Sequence, residues 1–137
     1  MNKRTSLKKK TLLVVEDDKG SRLLIKHFLE KLDLDVIDAE TGEEALELVK
    51  NEPVEGMLLD IALGAGINGL DLGEKLKADQ RFKDVPMVAV TAFDKDSLKK
   101  LEEIGFTGYL HKPYSADELK ALLHEQTIHN QRRKLLL

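Results

Sequence analysis

Short runs of branched apolar residues at 11–16 (TLLVVE), 34–39 (LDVIDA), 55–60 (EGMLLD), 86–91 (PMVAVT) and 107–111 (TGYLH) alternate with stretches in which apolar residues recur at helical spacing. Runs this short, bounded by turn residues, read as strands, and the stretches between them read as helices. Leu24, Ile25, Phe28, Leu29 and Leu32 form the first helical stripe, and Ala45, Leu46 and Val49 form the second. Leu72 and Leu76, then Leu98 and Leu101, then Leu119, Leu122 and Leu123 mark three more. Two helix starts carry capping boxes, Thr41 with Glu44 and Ser115 with Glu118, where each side chain can satisfy an orphan backbone N–H of the other residue. Strands alternating with helices imply a parallel sheet covered on both faces, because each right-handed crossover lays its helix back on the sheet.

With five such units, the expected fold is a flavodoxin-like (βα)5 doubly wound parallel sheet of strand order 2-1-3-4-5. The chain direction then reverses between strands 1 and 3 and opens a crevice at their carboxyl ends. A chain of 137 residues has room for one such body. It is placed at 11–126, with a basic N-terminal tail at 1–10 and a C-terminal tail or helix extension at 127–137. The basic start is followed by only four apolar residues before Glu16, Asp17 and Asp18, so a secretory signal is not expected. No apolar run approaches the roughly 20 residues that cross a bilayer. With zero Cys, thiolate metal sites, disulfides and Cys nucleophiles are excluded, which fits the cytoplasm. The ends hold eight basic and no acidic side chains, which leaves 14 basic against 25 acidic ones between them. An acidic body with few aromatic residues argues against direct contact with nucleic acid.

The strand ends carry the chemistry. Strand 1 ends in Glu16 and Asp17, followed by Asp18, and strand 3 ends in Asp60. Adjacent parallel strands lie about 4.8 Å apart, so these carboxylates converge and call for a cation. Oxygen ligands alone suit a hard ion, Mg²⁺ best. Strand 4 ends in Thr91-Ala92 and strand 5 in His111-Lys112-Pro113. A hydroxyl, an ammonium and an acidic cluster on one sheet edge are the groups that hold a phosphoryl. Singly, each has an ordinary reading: Asp as a turn former, Thr91 as a strand residue, Lys112 as a solvated lysine. His27, His111, His124 and His129 show no paired ligand spacing and read as structural or solvated. Gly64-Ala65-Gly66 follows the third strand without a phosphate-binding fingerprint and reads as a turn.

VVEDD at 14–18, AETGEEAL at 39–46, LLD at 58–60, VTA at 90–92 and YLHKP at 109–113 together resemble the receiver domain of two-component response regulators. The resemblance covers residues 11 to about 126, with its motifs in order and at the right spacing. It implies that Asp60 is the phosphoacceptor and that Glu16, Asp17, Asp60 and the backbone carbonyl of Ala62 hold Mg²⁺. It further implies that Lys112 pairs with the phosphoryl, that Thr91 moves to hydrogen-bond it, that Tyr109 is the aromatic switch, and that the Lys112-Pro113 bond is cis. The partners implied are a sensor histidine kinase or histidine phosphotransfer protein upstream and a protein target downstream. One segment departs from the family pattern. Receivers commonly place Met-Pro shortly after the acceptor and a Gly eight residues after it, whereas here 61–69 lacks proline and Gly69 stands nine residues on.

The expected function is therefore a phosphoryl-accepting switch rather than an enzyme, with slow autodephosphorylation. Ala62 and Phe93, flanking the approach of water, offer no polar side chain to orient it. A phosphatase with a nucleophilic Asp would need a second Asp at position 62, where Ala62 stands. A receiver-like constitutive interaction module is the other alternative, and it would ordinarily lose the acceptor or its acidic pair. The segment 127–137 is too short for a core of its own, as in a stand-alone receiver, and a receiver cut from a hybrid kinase or longer regulator would read the same way.

Overall fold

The structure, a computed structural model, describes residues 9–92 and 97–136, with side chains as far as Gln126. Its elements run β1 (Thr11–Val15), α1 (Lys19–Lys31), β2 (Asp35–Ala39), α2 (Gly42–Leu48), β3 (Gly56–Asp60), α3 (Gly69–Lys77), β4 (Met87–Thr91), α4 (Leu98–Ile104), β5 (Gly108–His111) and α5 (Ala116–Leu136), with a 3-10 turn at Gln80–Phe82. The strands form one sheet of order β2-β1-β3-β4-β5, and every pairing is parallel. The parallel pairing is what the alternation of periods implies, and the order is that of the expected flavodoxin-like fold. Each strand is one residue shorter than its apolar run: Glu16 falls off the end of the first, and Leu34, Glu55, Pro86 and Thr107 fall off the starts of the others. Pro86 has no N–H for a ladder, and Glu16 turns its side chain into the site described below.

Side chains alternate across each strand, so one strand feeds two cores. Leu13, Val15, Met57, Leu59, Met87 and Ala89 point to one face, where Ala45, Leu72, Leu76 and Leu101 from α2, α3 and α4 cover them. Leu12, Val14, Leu58, Val88, Val90 and Leu110 point to the other, under Ile25 and Leu29 of α1 and Leu119 of α5. Leu24 is a correction to the first helical stripe. It is 51% exposed, like its neighbour Leu23 at 52%, because a helix advances about 100° per residue and Ile25 already takes the inward position.

Of the two expected capping boxes, one forms in full and the other only by half. Ser115 and Glu118 bond reciprocally, at 2.9 and 3.1 Å. Thr41 accepts from Glu44 N at 3.1 Å, but the Glu44 carboxylate reaches back to Glu40 N, one residue before the cap. Just before β5 the buried Gln126 ties α5 to Thr107. Its Nε2 donates to the Thr107 carbonyl at 3.0 Å, its Oε1 accepts from the Thr107 hydroxyl at 2.6 Å, and that hydroxyl accepts from Met87 N at 3.0 Å. Among the described residues no helix is long and apolar enough to cross a membrane.

Candidate functional site

Val15 lies opposite Leu59 in the ladder between β1 and β3. Their successors, Glu16 and Asp60, therefore leave the sheet side by side at its carboxyl edge, where the strand order reverses. Both are buried, at 6% and 5% exposure. A buried carboxylate without partners carries a penalty of several kcal/mol, and here each has two. Glu16 accepts from Lys112 Nζ at 2.7 Å and from Asp18 N at 3.1 Å. Asp60 accepts from Ala62 N at 3.0 Å and lies 3.4 Å from the same Lys112 Nζ. Lys112 follows β5 directly, and its own N–H donates to the Thr91 carbonyl at 2.9 Å, which fixes where its stem begins.

Glu16, Asp17 and Asp60 present carboxylate oxygens that all lie within 4.8 Å of one another. Three carboxylates facing one ammonium leave the cluster net negative, and the acid–base behaviour of both charged partners reflects it. Burial has the largest effect on the Glu16 carboxyl and, together with the nearby Asp60, raises it against the Lys112 and Asp18 hydrogen bonds, which pull it down. Burial alone would lower Lys112, but the Glu16 hydrogen bond and the charges of Asp60 and Glu16 outweigh it and hold the ammonium above its ordinary value. Burial, with the Asp60 charge added to it, makes Glu16 keep its proton more tightly, whereas Lys112 does so because of the negative charge around it. A cation placed among these oxygens would relieve that excess.

Thr91 closes β4 and is buried at 1% exposure. In the ladder between β4 and β5, Thr91 stands opposite His111 and Ala89 opposite Tyr109. Thr91 and Tyr109 are thus diagonal neighbours on one sheet face, the face on which Ala89 and Tyr109 pack into the core. Tyr109 is half-buried and meets the His111 ring edge-on, with centroids 6.2 Å apart. The Lys112-Pro113 bond is cis, as expected. His27, His111 and His124 are exposed. Phe93 lies outside the described residues, as does the side chain of His129.

Several functional details were not legible in the motifs. Of the three consecutive acids, Asp18 turns away to cap α1, accepting from Ser21 N at 2.8 Å, and that bond holds its carboxyl below the usual range. Arg22 positions Glu16 through its backbone: the guanidinium donates to the Glu16 carbonyl at 2.9 Å and pairs with Asp38 at 3.2 Å. No spacing rule points to a residue six positions after a site acid. The departing segment 61–69 arches over the acidic end and closes on itself, with Gly69 N donating to the Ile61 carbonyl at 3.1 Å. Asn68 then caps α3.

A family model for the response regulator receiver domain matches residues 12–124. The chain belongs to that family. A chemotaxis protein CheY homolog of Campylobacter jejuni is 35% identical over 117 residues, an alignment that takes in 83% of this chain and 89% of the relative. CheY1 of Helicobacter pylori is 36% identical over 115 residues, covering 82% of this chain and 92% of that one. Among solved structures, a CheY-like receiver domain protein from Methanospirillum hungatei superposes with a TM-score of 0.84 at 24% identity, over 92% of this chain and 99% of the other. The receiver domain of the sensor histidine kinase PA1611 from Pseudomonas aeruginosa superposes at 0.78 and 23% identity, over 87% and 98%, and holds a magnesium ion in its active site cleft. At such identities the superpositions establish the shared fold. Receiver domains of this family are signalling switches rather than enzymes in the ordinary sense.

Proposed function

We propose that this receiver domain takes a phosphoryl group on Asp60 from a phosphohistidine of a sensor kinase or histidine phosphotransfer protein and then acts on a protein target through an altered surface. The observation that carries this reading is the buried Asp60 carboxylate, held by the Ala62 N–H and Lys112 at the edge where two further carboxylates converge. In the transfer, an Asp60 oxygen forms the new P–O bond as the P–N bond to the imidazole breaks, and the electron pair returns to the histidine nitrogen. Lys112, already 3.4 Å from Asp60, is placed to pair with a phosphoryl oxygen. Such a reading puts the chain in the cytoplasm with protein partners, in keeping with its acidic body.

Glu16, Asp17, Asp60 and the Ala62 carbonyl would hold a Mg²⁺ ion, and the all-oxygen donor set with its excess negative charge fits a hard cation. When bound, the ion supplies charge neutralisation for the phosphoryl oxygens. Mg²⁺ should stabilise the folded chain, by about 2.7 kcal/mol at a free concentration a hundred times Kd, seen as a rise in melting temperature. A Glu16→Gln, Asp17→Asn double variant should lose that rise, and an equal rise in both proteins would reject the ligand assignment.

An acyl phosphate can act only by biasing a two-state element, and the Thr91–Tyr109 diagonal supplies one. As the Thr91 hydroxyl turns toward the phosphoryl it vacates space that the Tyr109 ring can enter. Beryllofluoride with Mg²⁺, a phosphoryl mimic, should shift the Tyr109 ring resonances in the wild type and leave them in place in Thr91→Ala. Wild-type Tyr109 resonances that stay fixed, with β4–α4 amides also unmoved, would reject the coupling.

A further inference from the structure

The segment 61–69, where this chain departs from the family pattern, is fastened at two points by carboxylates from other elements. Gly64 N donates to Asp17 Oδ2 at 2.9 Å, and Ile67 N donates to Glu43 Oε2 at 3.0 Å. Glycine at 64 is what allows the first contact. A Cβ on that residue would stand 2.8 Å from Asp17 Oδ2 with no other heavy atom comparably close. Gly66, with φ of +73°, packs its backbone against the Glu43 carboxylate so closely that a Cβ would overlap it.

Building on the proposed metal site, we propose that Gly64 is a positioning residue for it: its backbone N–H holds the Asp17 carboxylate turned toward Glu16 and Asp60. Asp17 is only half-buried and faces two like charges, so an untethered side chain would swing toward water and leave the cluster. The Gly64 N–H opposes that rotation while occupying one oxygen. A carboxylate has about four lone-pair sites, so the remaining capacity serves a cation. Proline at 64 would have no N–H to give, and any other side chain would crowd the Asp17 oxygen, so glycine supplies both the donor and the room for its acceptor. Glu43 at the N-terminus of α2 anchors the loop's far end and keeps the Gly64 amide in place.

The test substitutes Gly64→Ala. The displaced atom would be the far end of the Asp17 side chain rather than backbone, so the fold should survive while Asp17 is pushed out, and an amide spectrum verifies this in the same sample. Mg²⁺ binding is followed in wild type, Gly64→Ala and Glu43→Ala by amide shifts. Outer-shell partners of metal ligands typically contribute 10- to 100-fold to affinity. Gly64→Ala should therefore weaken Mg²⁺ binding about tenfold, and Glu43→Ala should weaken it less. In the wild type, the Gly64 amide should be among the resonances that move with Mg²⁺. Wild-type affinity retained in a folded Gly64→Ala protein overturns the tether while leaving the metal site standing. Absence of Mg²⁺ binding in the wild type overturns both.

Discussion

Acetyl phosphate supplied with Mg²⁺ is expected to add one phosphoryl group to the wild-type chain and none to Asp60→Asn, read by intact mass. The effect should be complete because the nucleophile must be an anionic oxygen, and an amide at position 60 has neither the charge nor the lone-pair reactivity. Misfolding would not explain the loss. Asp60 is one of three carboxylates within 4.8 Å, and removing its charge relieves repulsion at the buried edge, so Asp60→Asn should melt no lower than the metal-free wild type. Phosphoryl uptake that persists in the variant would reject Asp60 as the acceptor. The same phosphorylated sample tests the lifetime of the group. Ala62 is exposed two residues after the acceptor and has no side-chain donor or acceptor, so decay in Ala62→Asn should be faster than in the wild type. Equal or slower decay would remove the proposed reason for a long-lived signal.

Gly69→Ala should destabilise the fold by about 3 kcal/mol, at the upper end for overpacking, measured by urea unfolding. Gly69 is fully packed against the acceptor strand. A Cβ there would overlap the Asp60 carbonyl oxygen and the Ile61 Cα, with the Asp60 carbonyl carbon at 3.0 Å. These are backbone atoms, which cannot rotate aside as a side-chain tip can. The hydrogen bond from Gly69 N to the Ile61 carbonyl would have to lengthen as well. Whatever strain the strand end absorbs is absorbed beside Asp60, so phosphoryl uptake should fall together with stability. A loss below about 1 kcal/mol would show that the loop gives way more easily than its contacts indicate. Gly64→Ala makes the contrast: there the neighbour is a carboxylate tip, and the consequence is local.

The periodicity of apolar residues is a local property, and it determined the five βα units and the two core faces; the order of the sheet came from the doubly wound fold that five such units most commonly form. Strand alternation assigns Leu13 and Val15 to one face and Leu12 and Val14 to the other before any contact is known. Once the order is set, the residues that end strands 1, 3, 4 and 5 must share an edge, which is why Glu16, Asp60, Thr91 and Lys112 could be gathered from the sequence. Which donor meets which oxygen is another matter. Lys112 bonds more closely to Glu16, 96 residues away, than to Asp60, and Gly64 bonds to Asp17 across 47 residues. Asp17 and Asp18 are adjacent and identical in type, yet one joins the cluster and the other caps a helix. Leu24 belongs to an apolar stripe and still faces outward. The path of 61–69, the tether on Asp17 and the support of Glu16 by Arg22 were settled only by tertiary structure. Periodicity reports which face a residue occupies, whereas these pairings depend on ångström-scale separations between segments that no spacing along the chain encodes.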